Sequence, residues 1–200
     1  MQKSSGPKGQ YSRGYLPHLD FSGKTQFLTY RLADSVPNEV IDRYKSRLEL
    51  GRISEREYHK IIERYLDSGR GECYLGRDDV ASIVEENLFH FNGVKYQLHA
   101  WVIMPNHLHK LVTPYPDVSL AEIAHSCKLY TAKAANRILN RTGEFWFPEP
   151  FDRYIRSGSH FDYVWDYIES NPVKAGLCEF SCEWRYSSAW HNFNSAEKWD

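Results

Sequence analysis

The chain has 200 residues, of which 42% are hydrophobic, 26% charged and 15% aromatic, enough for one globular domain with a real core and short for two. Its formal net charge of −1 argues against a protein that coats nucleic acid indiscriminately, because neutralising phosphates needs clustered Lys and Arg. No stretch approaches the roughly 20 apolar residues of a membrane span, and the polar N-terminus lacks the apolar core of a signal peptide. A cytoplasmic protein with its four cysteines reduced is therefore expected. Cys178 and Cys182 would need two further ligands, not evident in the sequence, to hold zinc.

Residues 1–20 contain Gly6, Pro7, Gly9, Gly14 and Pro17 and read as a flexible arm, carrying Lys3, Lys8 and Arg13 without an acid. Residues 21–190 read as one domain and 191–200 as a tail. Thr25 to Leu32 alternates like a strand. Pro37 opens an amphipathic helix to about Leu50. From Ser54 to Leu66 the apolar residues Tyr58, Ile61, Ile62, Tyr65 and Leu66 fall on one helical stripe. Asp78 and Asp79 start another helix, with Val80, Ile83, Val84, Leu88 and Phe89 as its apolar face. Asn92-Gly93 signals a turn. Strands are expected at Val94–Met104 and Leu108–Thr113, joined at Pro105-Asn106. Ser119 caps a long helix to about Leu139. Phe151–Ile155 is a short strand, and Ser159 caps a last helix that Pro172 stops. This order predicts an α+β fold, an antiparallel sheet with helices packed on one face.

Two constellations carry chemistry. His107 and His109 are two apart on a strand, so they share a face while Leu108 turns into the core. Two imidazoles so placed suit a divalent cation, although two ordinary histidines at a strand end fit as well. Tyr167 and Asn171 are four apart on a helix and project from one face, which also describes a plain amphipathic helix ending before Pro172. Between His125 and Gly143 lie Lys128, Lys133, Arg137 and Arg141 with no acidic residue, a local patch of the kind that attracts phosphates or simply a solvated helix face. Lys128 and Lys133 sit about 140° apart around the helix. Arg153 and Arg156 are further candidates for DNA contact.

The run MPNHLH (104–109), followed by DYIESNPVKAGL (166–177), closely resembles the single-tyrosine HUH transposases, and more narrowly the REP-associated tyrosine transposases of bacteria. GYLPHLDFSGKTQFLTYRL (14–32), HSCKLYTAKAANR (125–137) and FDRYIR (151–156) fit the same group in the same order. The resemblance implies a ferredoxin/RRM-like HUH fold. It places metal ligands at His107, His109 and Asn171, and the nucleophile at Tyr167. It further implies Mg²⁺ or Mn²⁺ as cofactor and a 5′-phosphotyrosyl intermediate in cutting and rejoining single-stranded DNA beside a palindromic hairpin. A bacterial, nucleoid-associated monomer or homodimer goes with it. Lys110 departs from the apolar residue expected after the HxH pair, and Phe147-Pro148-Glu149 from a more polar segment. Two other classes compete: a hairpin DNA- or RNA-binding protein that retains the fold without catalysis, and a metal-dependent hydrolase without a covalent intermediate.

Overall fold

The computed structural model describes residues 9–12, 17–20 and 23–196. Strands β1 (Gly9–Ser12) and β2 (Pro17–Asp20) pair as an antiparallel ribbon. Then follow β3 (Gln26–Arg31), α1 (Asn38–Glu49), α2 (Glu55–Asp67), α3 (Asp78–Phe91), β4 (Tyr96–Met104) and β5 (His107–Pro114). The chain continues with α4 (Leu120–Ile138), β6 (Phe151–Tyr154), α5 (Gly158–Glu169), a single turn α6 (Asn171–Lys174) and α7 (Ser188–Ala196). Strands β4-β5-β3-β6, in that order, form one antiparallel sheet. The α+β class read from the sequence therefore holds.

One part of that expectation changes. Both faces of the sheet carry helices. Leu28, Tyr30, Trp101, Ile103, Leu108 and Val112 pack with α3 and α4, whereas Phe27, Ala100, Val102, Met104 and Leu111 pack with Val164 and Ile168 of α5. The reason lies in the strands. All six residues of β3 and the last five of β4 are buried, and a strand buried along its whole length needs cover on both sides. The arrangement puts α5 on the face of β5 that bears His107 and His109.

Local signals explain most of the helix ends. The Ser54 hydroxyl accepts from the Glu57 amide at 3.2 Å, and the Glu57 carboxylate accepts from the Ser54 amide at 2.8 Å, a reciprocal cap that fixes the start of α2. Ser119 caps α4 through the Glu122 amide. At α5 the cap is Ser157, whose hydroxyl accepts from the His160 amide at 3.2 Å, and not Ser159. Ser157 has the extended backbone that a cap position needs. Pro172 does not stop the chain's helical course. It sits in the first turn of α6, where a missing amide hydrogen costs nothing.

Both ends differ from the sequence reading. The expected arm contains the β1–β2 ribbon, with β2 beside β6. Its remaining residues, with Lys3, Lys8 and Arg13, lie outside the described residues, as do 197–200. The expected tail from 191 is helical to Ala196. It is tied down by Glu85, which accepts from Arg185 at 2.8 and 3.1 Å and pairs with His191 at 2.8 Å. The preceding segment covers the free edge of β4, with the Ile103 amide donating to the Tyr186 carbonyl and the Trp184 indole donating to the Ile103 carbonyl.

Candidate active site around Tyr167

The site begins with the register of β5. His107 lies opposite Arg31 of β3 and Met104 of β4, and His109 opposite Thr29 and Val102. The strand period turns both imidazoles to the α5 face, with ring centroids 4.6 Å apart. Thr29, the cross-strand neighbour of His109, holds its Nδ1 through the hydroxyl at 2.8 Å.

His107 is held more decisively. Its Nδ1 lies 2.7 Å from Oδ1 of Asn106. The Asn106 amide nitrogen donates to the carbonyls of Leu66 and Arg70, both at 3.0 Å, which fixes Oδ1 as the atom facing the imidazole. An amide oxygen only accepts, so Nδ1 of His107 carries the proton. Nε2 is then left with a free lone pair, and it is buried with no hydrogen-bond partner among the described residues. Burial pushes the pKa of His107 down to about 3 and that of His109 well below the ordinary imidazole value. Both rings are therefore neutral at physiological pH, the state a metal ligand requires.

Tyr167 approaches from α5. Its ring centroid is 5.5 Å from that of His109 and 5.9 Å from that of Phe27. The structure thus brings together the strand pair and the helix pair, which spacing alone leaves independent. Asn171, at the α5–α6 junction, is buried, and its side chain lies near enough to the Tyr167 phenol to favour its ionised form. Its Oδ1 is a second buried oxygen or nitrogen atom at the site without a hydrogen-bond partner among the described residues. Burial first, and then the carboxylates of Glu63 and Asp67, push the phenol pKa well above its ordinary value. The resting site therefore holds Tyr167 as a neutral phenol. Lys174 of α6 stands over the ring, its Nζ 5.0 Å from the centroid.

Two imidazoles and one amide oxygen fit a divalent cation that completes its shell with water and phosphate oxygens. The two unpartnered atoms, His107 Nε2 and Asn171 Oδ1, are the observation behind that fit. No group of three or more His, Cys, Asp or Glu side chains converges to hold a metal among the described residues, so the donor set has no third imidazole and no carboxylate.

A cavity of about 440 Å³ opens beside Tyr167. It is walled by Glu63 and His59 from α2, Arg153 from β6, Arg156, and Tyr163 from α5. Of the basic residues read from the sequence as DNA contacts, Arg153 and Arg156 line it. The four on or after α4 do not. Lys128 is turned inward, its ammonium donating to the carbonyls of Phe147 and Pro148 at 2.8 and 3.0 Å and lying over the Tyr30 ring. Its pKa falls to about 7, chiefly from burial. It braces the segment before β6 and is not available to a phosphate. Arg141 donates to Asn136 and to the Glu144 carbonyl. Lys133 and Arg137 are exposed, but α4 packs on the opposite face of the sheet from Tyr167.

The sequence reading missed Asn106, Thr29, Glu63 and Lys174. The Pro105-Asn106 turn is a turn signal that gives no hint of a side chain reaching the next residue. Glu63 falls beside the apolar stripe of α2 and reads as solvated.

Residues 77–171, which include His107, His109, Tyr167 and Asn171, match the family model described as "Transposase IS200 like". Over that segment the chain is similar to the IS200-like transposases. The REP-associated tyrosine transposase of Escherichia coli (strain K12) is 26% identical over 102 residues, a match covering 46% of this chain and 54% of that relative. The chain thus spans just over half the length of the curated relative it matches. A solved structure of a REP-associated tyrosine transposase bound to a REP hairpin superposes with a TM-score of 0.53 over 92% of this chain and 84% of that one, at 18% identity. That likeness is one of fold. It agrees with the four-stranded sheet and extends the resemblance on both sides of the matched segment. No helix among the described residues is long and apolar enough to cross a membrane.

Proposed function

We propose that this chain is a metal-dependent endonuclease and strand transferase that cuts and rejoins single-stranded DNA through a 5′-phosphotyrosyl link to Tyr167. The observation that carries the reading is the meeting of Tyr167 and Asn171 with His107 and His109, with a lone pair of His107 and an oxygen of Asn171 left unpartnered in a buried site. A protein that merely binds a hairpin has no need of such a pair beside a tyrosine.

His107, His109 and Asn171 would hold Mg²⁺ or Mn²⁺, which when bound supplies Lewis-acid polarisation of the phosphate and favours the phenolate. Tyr167 attacks phosphorus as the activated nucleophile, forming the ester and releasing a 3′-hydroxyl. Because the ester conserves the energy of the cut bond, another 3′-hydroxyl can reverse it. Asn171, whose side chain favours the phenolate, steadies the phenolic oxygen. Lys174, over the ring, offsets the charge that develops there. Arg153 and Arg156 bind the phosphates of the strand lying in the cavity. The partner is single-stranded DNA flanking a palindromic hairpin, since a fold relative is bound to a REP hairpin. Lys133 and Arg137, on the far face, serve DNA away from the scissile bond.

The test is incubation with oligonucleotides carrying palindromic hairpins and Mn²⁺. Covalent protein–DNA adducts should form in the wild type and disappear with chelator and in Tyr167→Phe. Hairpin binding that ignores chelator, without any cleavage, would establish the non-catalytic reading instead. Cleavage that persists in Tyr167→Phe without an adduct would establish hydrolysis by a metal-bound nucleophile.

A further inference from the structure

The mechanism above leaves one proton unassigned. Tyr167 must lose its phenolic proton as the ester forms, and the rejoining reaction must return one to the same oxygen. Neither imidazole serves. His107 is protonated at the nitrogen facing Asn106 and presents its free lone pair to the proposed ligand site, and His109 belongs to the same donor set.

Glu63 is the group in place. It stands on α2, a helix outside the matched family segment, whose His59 ring packs on Phe151 of β6. Glu63 lines the same cavity as Tyr167, and the two side chains are near enough for each to shift the other's proton affinity. The Asn106 amide, by holding the Leu66 and Arg70 carbonyls at the end of α2, fixes this helix against the same turn that carries His107. We propose that Glu63 is the proton acceptor of the reaction, its carboxylate taking the phenolic proton of Tyr167 as the phosphotyrosyl bond forms and returning it when that bond is broken. This role rests on Tyr167 being the nucleophile.

The balance is complete. In cutting, the Tyr167 oxygen–phosphorus bond forms and the phosphorus–3′-oxygen bond breaks. The phenolic proton moves to Glu63, and the departing 3′-oxygen takes its proton from water. In rejoining, the incoming 3′-hydroxyl attacks phosphorus and gives its proton to water, while Glu63 protonates the leaving tyrosine oxygen. Glu63 thus stores one proton for the lifetime of the covalent intermediate.

The surroundings of Glu63 suit the task. Burial, and then Asp67, raise its pKa to about 7, against Arg153, Lys60 and Tyr167, which lower it. Glu55, Arg56, His59, Asp152, Tyr154, Arg156, His160 and Tyr163 are the other titratable or charged groups lining the same cavity. A base whose proton affinity matches the working pH is effective in both directions, as donor and as acceptor. Asp67 is exposed and does not line the cavity beside Tyr167.

The experiment measures adduct formation against pH, from 5.5 to 9, for wild type, Glu63→Gln, Glu63→Asp and Tyr167→Phe with Mn²⁺ and a hairpin oligonucleotide. The wild-type rate should rise with pH and level off near 7. Glu63→Gln should be about 10²-fold slower with that limb gone, Glu63→Asp should recover part of the rate and the limb, and hairpin affinity should stay within about two-fold in both. A Glu63→Gln rate within about three-fold of wild type, or a slower rate that keeps the wild-type limb, would overturn the role of Glu63 and leave Tyr167 untouched. Adducts in Tyr167→Phe, or none in the wild type, would overturn the nucleophile and the role of Glu63 with it.

Discussion

Nδ1 of His107 donates to Oδ1 of Asn106 at 2.7 Å, and this bond decides which imidazole nitrogen faces the site. Partners of this kind fix the ring of a metal ligand and its tautomer, and their loss costs about 10–100-fold in metal affinity. Asn106→Ala should therefore weaken Mn²⁺ binding by about ten-fold, read by the free-ion signal in electron paramagnetic resonance. It should also lower stability, because the carbonyls of Leu66 and Arg70 lose their donor. Wild-type Mn²⁺ affinity in this variant would show that the ring is oriented by something else.

Glu63 gives a stability prediction with a definite sign. Its carboxyl has a pKa of about 7 in the folded chain against 4.5 as its ordinary value. Below 4.5 the group is neutral folded or unfolded, and its burial carries no charge penalty. Between 4.5 and 7 the unfolded chain ionises first, so the wild type loses stability, and above 7 the loss is complete. With chelator present, Glu63→Gln should be as stable as wild type at pH 4. By pH 8 it should be more stable by about 1–2 kcal/mol, after discounting for solvent screening. Thermal unfolding at the two pH values reads the difference. Equal melting temperatures at pH 8 would mean that the carboxylate is not penalised.

Lys110 offers a cleaner gain. It is fully buried on the α4 side of the sheet, its Nζ 4.7 Å from the Tyr30 ring centroid and 5.1 Å from that of Tyr96, with no hydrogen-bond partner among the described residues. The two rings offset only part of the cost of desolvating an ammonium. Lys110→Met should stabilise the fold by about 1–3 kcal/mol in chemical denaturation and leave DNA cleavage unchanged, since the residue faces away from Tyr167.

Two basic residues of similar promise in the sequence should behave oppositely. Arg153→Ala should weaken single-strand binding and reduce the slope of log affinity against log salt by about one. Lys128→Met should leave that slope alone and lower stability by about 1–2 kcal/mol, because the Phe147 and Pro148 carbonyls lose a charged donor. Fluorescence anisotropy across a salt series separates the two.

These contrasts show where the sequence is informative. The histidine pair is legible because strand period forces residues two apart to one face, and α2 because Tyr58, Ile61, Ile62, Tyr65 and Leu66 fall on one helical stripe. The α5 face of the sheet is not legible, since β3 and β4 read as strands without saying which side is covered twice. The bond from Asn106 to its neighbour, the reach of Glu63 from α2 and the inward turn of Lys128 all depend on how distant segments meet. Spacing along the chain carries no such information. The ribbon of β1 and β2 and helix α7 are short elements whose stability comes from packing, against β6 and Glu85 respectively, and local propensity alone does not announce them.

The central claim is that Tyr167 becomes covalently joined to DNA. Proteolysis of the wild-type adduct formed with Mn²⁺, followed by mass spectrometry of the nucleotide-bearing peptide, tests it most directly. The account predicts a single phosphotyrosyl linkage at Tyr167, carried on the 5′ phosphate of the cut strand. A linkage at Tyr163, which is exposed four residues earlier on the same helix, or cleaved DNA with no peptide attached, would contradict it.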